Sequence, residues 1–520
     1  MNHAVAIGGA ALLAACTLGG LPAQVAPFET AAAPRGPLGT IDTLVEQRLA
    51  RLGIASALPC SDAVFLRRAW LDVTGTLPRP AEARAFLADP SPGKRAALVD
   101  ALLGRPEFVD YQAMKWCDLL RVKAEFPINL WPNAVQAYAR WIHDSLRADL
   151  PYDRFVRALL LATGSNFRAP EANFLRAVPD KTPPGLARAA ALTFLGSRLA
   201  TWPRDRQEGL ARCFSGVAYK NTLEWKEEIV FFDDRWAAGT KGPVTVMLPD
   251  GTVAPVTAGT DPRTLFADWL VQEPSRWLAR CHCNRIWYWL FGRGLVHEPD
   301  DLRTDNPPSH PELLDWLAAE FVRAGYDSRH VFRLILNSAT WQRSSIPASR
   351  DPAAAANFAH QALRRFEAEV LIDAICQITG TTEQYGSPIP EPFTIVPPGT
   401  RAIALGDGST TSAFLELFGR PPRDTGLAAE RDNRPTAEQR LHLLNSSHVR
   451  GKFENGRRPA LGRGERAIDE LYLTFLSRLP TTDEVERIRE HARTNKLDPQ
   501  QTARDVAWAL LNSAEFLYRH

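Results

Sequence analysis

The sequence predicts a mainly α, multi-helical two-domain protein with a small β-hairpin near residues 243–257. Three observations predict it. Apolar residues recur at helical spacing along most of the chain, Pro-marked turns punctuate that pattern, and a weak internal repeat carries the same helix–turn–helix unit twice. At 520 residues the chain is too long for one compact core, which favours two or more domains.

Taken in order, the first element is an address. Ala4 to Leu21 carries no charged residue and is dominated by Ala, Gly and Leu until Pro22 breaks it, so residues 1–23 read as an export signal. Leu13-Ala14-Ala15-Cys16 resembles a bacterial lipobox, which makes Cys16 the candidate lipidation site; against this, Met1-Asn2-His3 lacks the usual cation. A Pro/Ala-rich linker, 24–39, follows. Helical periodicity begins with Ile41, Leu44, Val45 and Leu49, one face of a helix, and continues through a first helical domain, 40–200. A charged connector, 201–261, ends in alternating Val244, Val246 and Leu248, then Pro249-Asp250-Gly251 and Val253, the pattern of a hairpin. A second helical domain spans 262–520. Within it Ser309-His310-Pro311-Glu312 and Thr481 with Glu484 both have the spacing of a capping box. No later segment is long and apolar enough to span a bilayer.

The repeat aligns Leu71 to Glu82 with Leu473 to Glu484, including Leu77-Pro78 with Leu479-Pro480. Downstream, Ala101-Leu102-Leu103 then Glu107-Phe108 aligns with Ala509-Leu510-Leu511 then Glu515-Phe516. Leu336 to Trp341 is a third, partial copy of the ending. Such a unit hides its apolar faces against its neighbours.

Composition excludes several classes of function. Lys+Arg 61 against Asp+Glu 59 is too balanced for a nucleic-acid footprint. Seven Cys are too few for a disulfide scaffold, and contact with a membrane is expected only through a lipid anchor at Cys16. A nucleophile elbow, a phosphate loop and a dinucleotide fingerprint are all missing. Cys281-His282-Cys283 lies in a predicted helix, where the two Cys are about 200° apart around the axis and suit buried thiols better than a metal. No metal site is predicted.

The polar candidates each have two readings. Arg67, Arg68 and Asp72, and the helical pair Asp118 and Arg121, build either a polar cleft or ion pairs that fix helix packing. Asp300, Asp301, Asp305, Asn306 and His310 crowd one loop, as acid–base partners or as a solvated, capped turn. Tyr219 to Glu228 is dense in charge around Trp225. With Lys220 and Glu224 it either lines a carbohydrate site or forms a charged helix face with Trp225 tucked inward. The catalytic candidates are therefore Asp72, Asp118, Asp305 and His310.

Longer stretches carry a family resemblance. Leu71-Asp72-Val73-Thr74-Gly75, Trp116, Asp118, Arg121 and Pro151-Tyr152-Asp153-Arg154-Phe155 place residues 40–180 with domain-of-unknown-function family 1549. Asn284-Arg285-Ile286-Trp287, Leu290 to Leu295, Asn306 to Leu313, Phe418 to Arg423, Glu430-Arg431 and Leu443-Leu444-Asn445 make residues 262–520 resemble family 1553. The resemblance adds Asn284, Arg285, Arg423, Glu430 and Arg431 to the binding candidates, with Arg67 and Arg121. It implies an exported planctomycete or verrucomicrobial protein, of a kind often fused to cytochrome c-like modules and linked by association to polysaccharide handling. Where relatives carry Cys-x-x-Cys-His, this chain reads Ala200-Thr201-Trp202-Pro203-Arg204, and where they carry Cys-x-Cys it has Leu427 and Ala429. Without a covalent haem motif no cofactor is expected. The expected function is a helical binding or assembly module of the cell envelope, in the periplasm or at the cell surface. Its partners would be polysaccharide or other envelope proteins. The alternative is a glycan-directed hydrolase using carboxylates and His310.

Overall fold

The computed structural model describes residue 29 and residues 38–238, 244–257, 259–272, 276–456 and 465–520. The export segment, Cys16 and most of the linker lie outside the described residues. Among those described, twenty-two α-helices dominate and the sheets are small and antiparallel, so the chain is mainly α. No described helix is long and apolar enough to cross a membrane.

The first helix, Thr40–Leu52, buries Ile41, Val45 and Leu49 on the predicted face. The next, Asp62–Thr74, is buried on every side from Val64 to Thr74, so it is a central helix rather than a surface one. Gly75 ends it at φ 63°, and a Cβ there would stand 2.8 Å from the Tyr111 ring. Only glycine meets both demands.

The repeat is a structural one. Helices Asp62–Thr74, Pro80–Ala88 and Lys94–Leu103 recur as Glu465–Leu476, Thr482–Thr494 and Pro499–Leu511. Ser477 takes the left-handed place of Gly75, at φ 59°. Glu82 accepts the Arg79 amide (2.8 Å), as Glu484 accepts that of Thr481 (2.7 Å), the box read from the sequence. One guanidinium joins the acidic pair in each copy: Arg105 binds Glu82 and Glu107, and Arg478 binds Glu484 and Glu515. Each also lies over the equivalent ring, Arg105 over Trp70 and Arg478 over Tyr472.

The copies also touch. Arg67 donates to the carbonyls of Phe475 (2.6 Å) and Phe516 (3.0 Å), while Arg68 donates to those of His520 and Trp341 (2.8 Å each). Two buried arginines of the first unit therefore hold the endings of the other two. Buried apolar side chains form two clusters. One joins residues 41–359 and Leu473; the other joins residues 366–516 with Leu71, Leu77, Tyr111 and Met114. Helices Asp62–Thr74 and Pro106–Leu119 contribute to both, which places them at the centre of the molecule.

The hairpin read near residues 243–257 is present as Thr245–Met247 paired with Val253–Pro255, Val246 opposite Ala254. A second sheet corrects the helical reading of Tyr219 to Glu228. Val217–Asn221 pairs with Glu228–Phe232, and Gly164–Ser165 adds a third strand. The Ile229-Val230-Phe231-Phe232 run prefers a pleated surface, and this outweighs the helix-forming charges beside it. Ser309 is the other correction. Helix Pro311–Arg323 is preceded by His310 with no side-chain cap, because the Ser309 hydroxyl instead donates to the Leu295 carbonyl (3.2 Å).

Candidate functional site

Helix Pro106–Leu119 separates two concavities. On one side, Lys115 and Asp118 line a pocket of about 690 Å³ together with Trp289, Arg364, Arg365, Glu367, Arg431 and Arg519. On the other, Asp110, Met114 and Cys117 line a cleft of about 510 Å³ with the polar face of helix Pro132–Arg147 and the segment around Phe393 to Thr410.

The wall of the first is a buried ion network. Asp72 pairs with Arg364 (3.0 Å) and Arg519 (2.9 Å), and Arg519 also reaches Glu367. Asp118 pairs with Arg423 (2.8 Å) and Arg431 (2.7 Å), and Arg431 continues to Glu369 (2.6 Å). Burial opposes the Glu367 charge, but Arg519, Lys115 and Arg431 outweigh it and hold that carboxyl down at about 2. Asp118 is also held below the usual carboxylate range, because Arg431 and Arg423 outweigh its burial.

Lys115 is the outlier. Its residue is 7% exposed, and its ammonium sits over the Tyr111 ring (4.2 Å) and near Trp289 (5.4 Å). Among the described residues it makes no hydrogen bond and no ion pair. Burial pushes it down to about 7, with Glu367 as the leading opposing influence.

An aromatic platform adjoins the second concavity and shares Phe393 with it. Trp225 lies in the turn between strands Val217–Asn221 and Glu228–Phe232 and is 69% exposed, not tucked inward. Its ring meets that of Trp131 edge-on (centroids 6.4 Å), and Trp131 meets Phe393 (5.4 Å). Lys226 lies 5.2 Å from the Trp131 ring and 5.5 Å from Trp225. Trp131 has φ 73°, a conformation uncommon for a bulky residue, and Pro132 starts the next helix directly after it. That helix then presents Asn133, Gln136, Arg140 and His143 to the cleft at one-face spacing. Opposite them, Thr394 Oγ1 and Asp407 Oδ2 are buried with no partner among the described residues.

The remaining sequence candidates divide clearly. Lys220 and Glu224 are exposed on the Trp225 hairpin. Arg121 does not pair with Asp118: helix Pro106–Leu119 ends first, Arg121 turns to φ 56°, and it donates to the Ala177 carbonyl (2.6 Å). Asn284 is tied to Val296 twice, its Nδ2 donating to the Val296 carbonyl (3.0 Å) and its Oδ1 accepting from the Val296 amide (2.9 Å). Arg285 donates to the carbonyls of Leu192 and Thr193 and pairs with Asp300 (3.1 Å). Glu430 accepts the amides of Asp424 and Thr425. These groups hold backbone in place.

The catalytic candidates do not share one cleft. Asp72 and Asp118 are bound to arginines around the first pocket. Asp305 is exposed beside Arg303 (3.4 Å). His310 is buried against Phe358 and is pushed down to about 4 by burial, with Arg48 adding. Cys281 and Cys283 are buried free thiols, and His282 between them stacks on Tyr152 (centroids 4.0 Å) with Nε2 2.8 Å from the Ser328 hydroxyl.

Sequence reasoning missed Lys115, Trp131, Phe393 and the cleft. One signal was available: Lys115 is one of few lysines in the chain and stands inside the otherwise apolar run Met114-Lys115-Trp116-Cys117.

No curated protein matches the chain, and no solved structure does. Residues 40–209 match the family model PSCyt2, protein of unknown function DUF1549, and residues 262–492 match PSD1, protein of unknown function DUF1553. The two strands that flank Trp225 and the separate hairpin Thr245–Pro255 fall in the segment between the two matches. The chain therefore carries a region that matches PSCyt2 (DUF1549) followed by a region that matches PSD1 (DUF1553).

Proposed function

We propose that this chain is an exported cell-envelope module that binds polysaccharide through the Trp131–Trp225–Phe393 platform and the adjoining cleft. The observation that carries this reading is the convergence of the three rings. They come from segments about 90 to 260 residues apart in sequence, and Trp225 is exposed despite the cost of leaving an aromatic in water. Flat rings suit the apolar faces of sugars, and the cleft beside them offers both donors and acceptors, the pairing that hydroxyl groups need. Export and anchoring rest on the uncharged Ala4–Leu21 run and on Cys16. The hydrolase reading has less support, because Asp72 and Asp118 are committed to arginines, Asp305 is exposed beside Arg303, and His310 is buried against Phe358.

The test is a screen of the mature protein against neutral and acidic polysaccharides by affinity electrophoresis. Retardation by at least one polysaccharide, reduced at least tenfold in Trp225→Ala, is the expected result. No retardation by any of them would refute the proposal.

A further inference from the structure

The two concavities differ in the polar groups they leave unmet. In the aromatic cleft these are a hydroxyl and a carboxylate oxygen. In the pocket beside Lys115 they are nearly all donors. Nε of Arg364, Arg365 and Arg519 is buried without a partner among the described residues, and His297 Nδ1 is in the same position. Guanidinium nitrogens can only donate, and His297 donates in one tautomer. The one unmet acceptor among the lining side chains is Asn433 Oδ1.

Charge points the same way. Six cationic side chains line this pocket (Lys115, Arg364, Arg365, Arg431, Arg434 and Arg519) against four carboxylates, Asp118, Glu298, Glu367 and Asp432. The carboxylates of the network already have guanidinium partners, and Asp432 has Arg434 (2.7 Å). Lys115 has no carboxylate at ion-pair distance among the described residues. A desolvated ammonium held only by aromatic faces is costly, and an incoming anion would relieve that cost.

We propose that this pocket binds an oxyanion, a carboxylate, sulfate or phosphate group, with the Lys115 ammonium as its principal contact. Three features converge on that ligand: the buried ammonium lining the cavity, the unmet guanidinium donors around it, and the surplus of positive charge. At about 690 Å³ the pocket accommodates a molecule larger than a bare ion, so the group can belong to a small metabolite or to an acidic sugar residue. The terminal nitrogens of Arg364, Arg365 and Arg519 are held by protein partners, which leaves one Nε–H on each, and the guanidinium charges together with the low-polarity Trp289 wall strengthen a charge-assisted hydrogen bond from Lys115.

The experiment is calorimetric titration of the mature protein with four probes: inorganic sulfate, inorganic phosphate, glucuronate and polygalacturonate, at constant ionic strength set with chloride. Saturable binding of at least one probe is expected, weakened at least tenfold in Lys115→Met and retained in Trp225→Ala. Preference for the free ions over the two uronates would identify a small anion as the ligand, and the reverse an acidic glycan. Circular dichroism confirms that Lys115→Met is folded. Absence of saturable binding by all four probes, or equal binding by Lys115→Met, would overturn the proposal. Loss of polysaccharide retardation in Trp225→Ala with anion binding intact separates this site from the platform.

Discussion

Replacing Lys115 by Met is expected to stabilise the protein at neutral pH. The side chains are close in length, and the substitution removes a buried ammonium that has no carboxylate partner among the described residues. Burial moves this group from 10.5 to about 7. At about 1.4 kcal/mol per pH unit, the protonated form costs the folded state about 5 kcal/mol at low pH, and about 4 kcal/mol at pH 7. Loss of the cation–π contact with Tyr111 and Trp289 returns about 2 kcal/mol, which leaves a net gain of about 2 kcal/mol. The sign of the pH dependence follows from linkage. The folded state releases the proton near pH 7 and the unfolded state near 10.5, so the unfolded chain binds more protons in between. Wild-type stability should therefore rise across that window relative to Lys115→Met, and the variant's advantage should be gone by about pH 10. Urea midpoints of both proteins at pH 6, 8 and 10 measure this, with ligand-free buffer at each pH. A variant less stable than wild type at pH 6 would refute the reasoning, since it would show the ammonium to be held by a favourable partner.

Arg431→Ala removes the guanidinium shared by the buried carboxylates of Asp118 and Glu369, which keep Arg423 and Arg420 as partners, so a loss of about 1–3 kcal/mol is expected in urea denaturation. A loss below about 1 kcal/mol would show that the network does not hold the two regions together. Trp225→Ala removes an exposed ring, so its stability should stay within about 0.5 kcal/mol of wild type while polysaccharide retardation falls. His282 is driven down to about 3 by burial, with Arg285 adding. The unfolded chain therefore takes up its proton first as pH falls below about 6.5, and stability should decline from there to about pH 3. His282→Phe should flatten that part of the acid-unfolding curve followed by circular dichroism, and an unchanged curve would contradict the assignment.

The features legible in the sequence are those set by short spacings. The Ile41–Leu49 face, the Thr481–Glu484 cap and the Leu-Pro turns each depend on residues within a few positions of one another. The helix that contains them supplies the geometry directly. The repeat was visible for the same reason, since each copy is one local unit. Local reading failed where two tendencies competed. Tyr219 to Glu228 has helix-forming charges beside a β-forming run, and pairing across the hairpin decided between them. Ser309 has the cap spacing, but its hydroxyl is taken by the Leu295 carbonyl of a neighbouring loop.

By itself, the sequence determined the helical class, the hairpin near residues 243–257, the repeated unit and the family that each half matches. Only the tertiary structure decided which polar groups face each other. Asp118 meets Arg423 and Arg431 rather than Arg121, and Asp72 meets Arg364 and Arg519, partners about 290 to 450 residues away. It also decided that Trp131, Trp225 and Phe393 share one surface and that Lys115 stands without a carboxylate. Helical periodicity is encoded in every turn of the chain. A site assembled from distant segments depends on how the two cores stack around helices Asp62–Thr74 and Pro106–Leu119, and no local spacing records that.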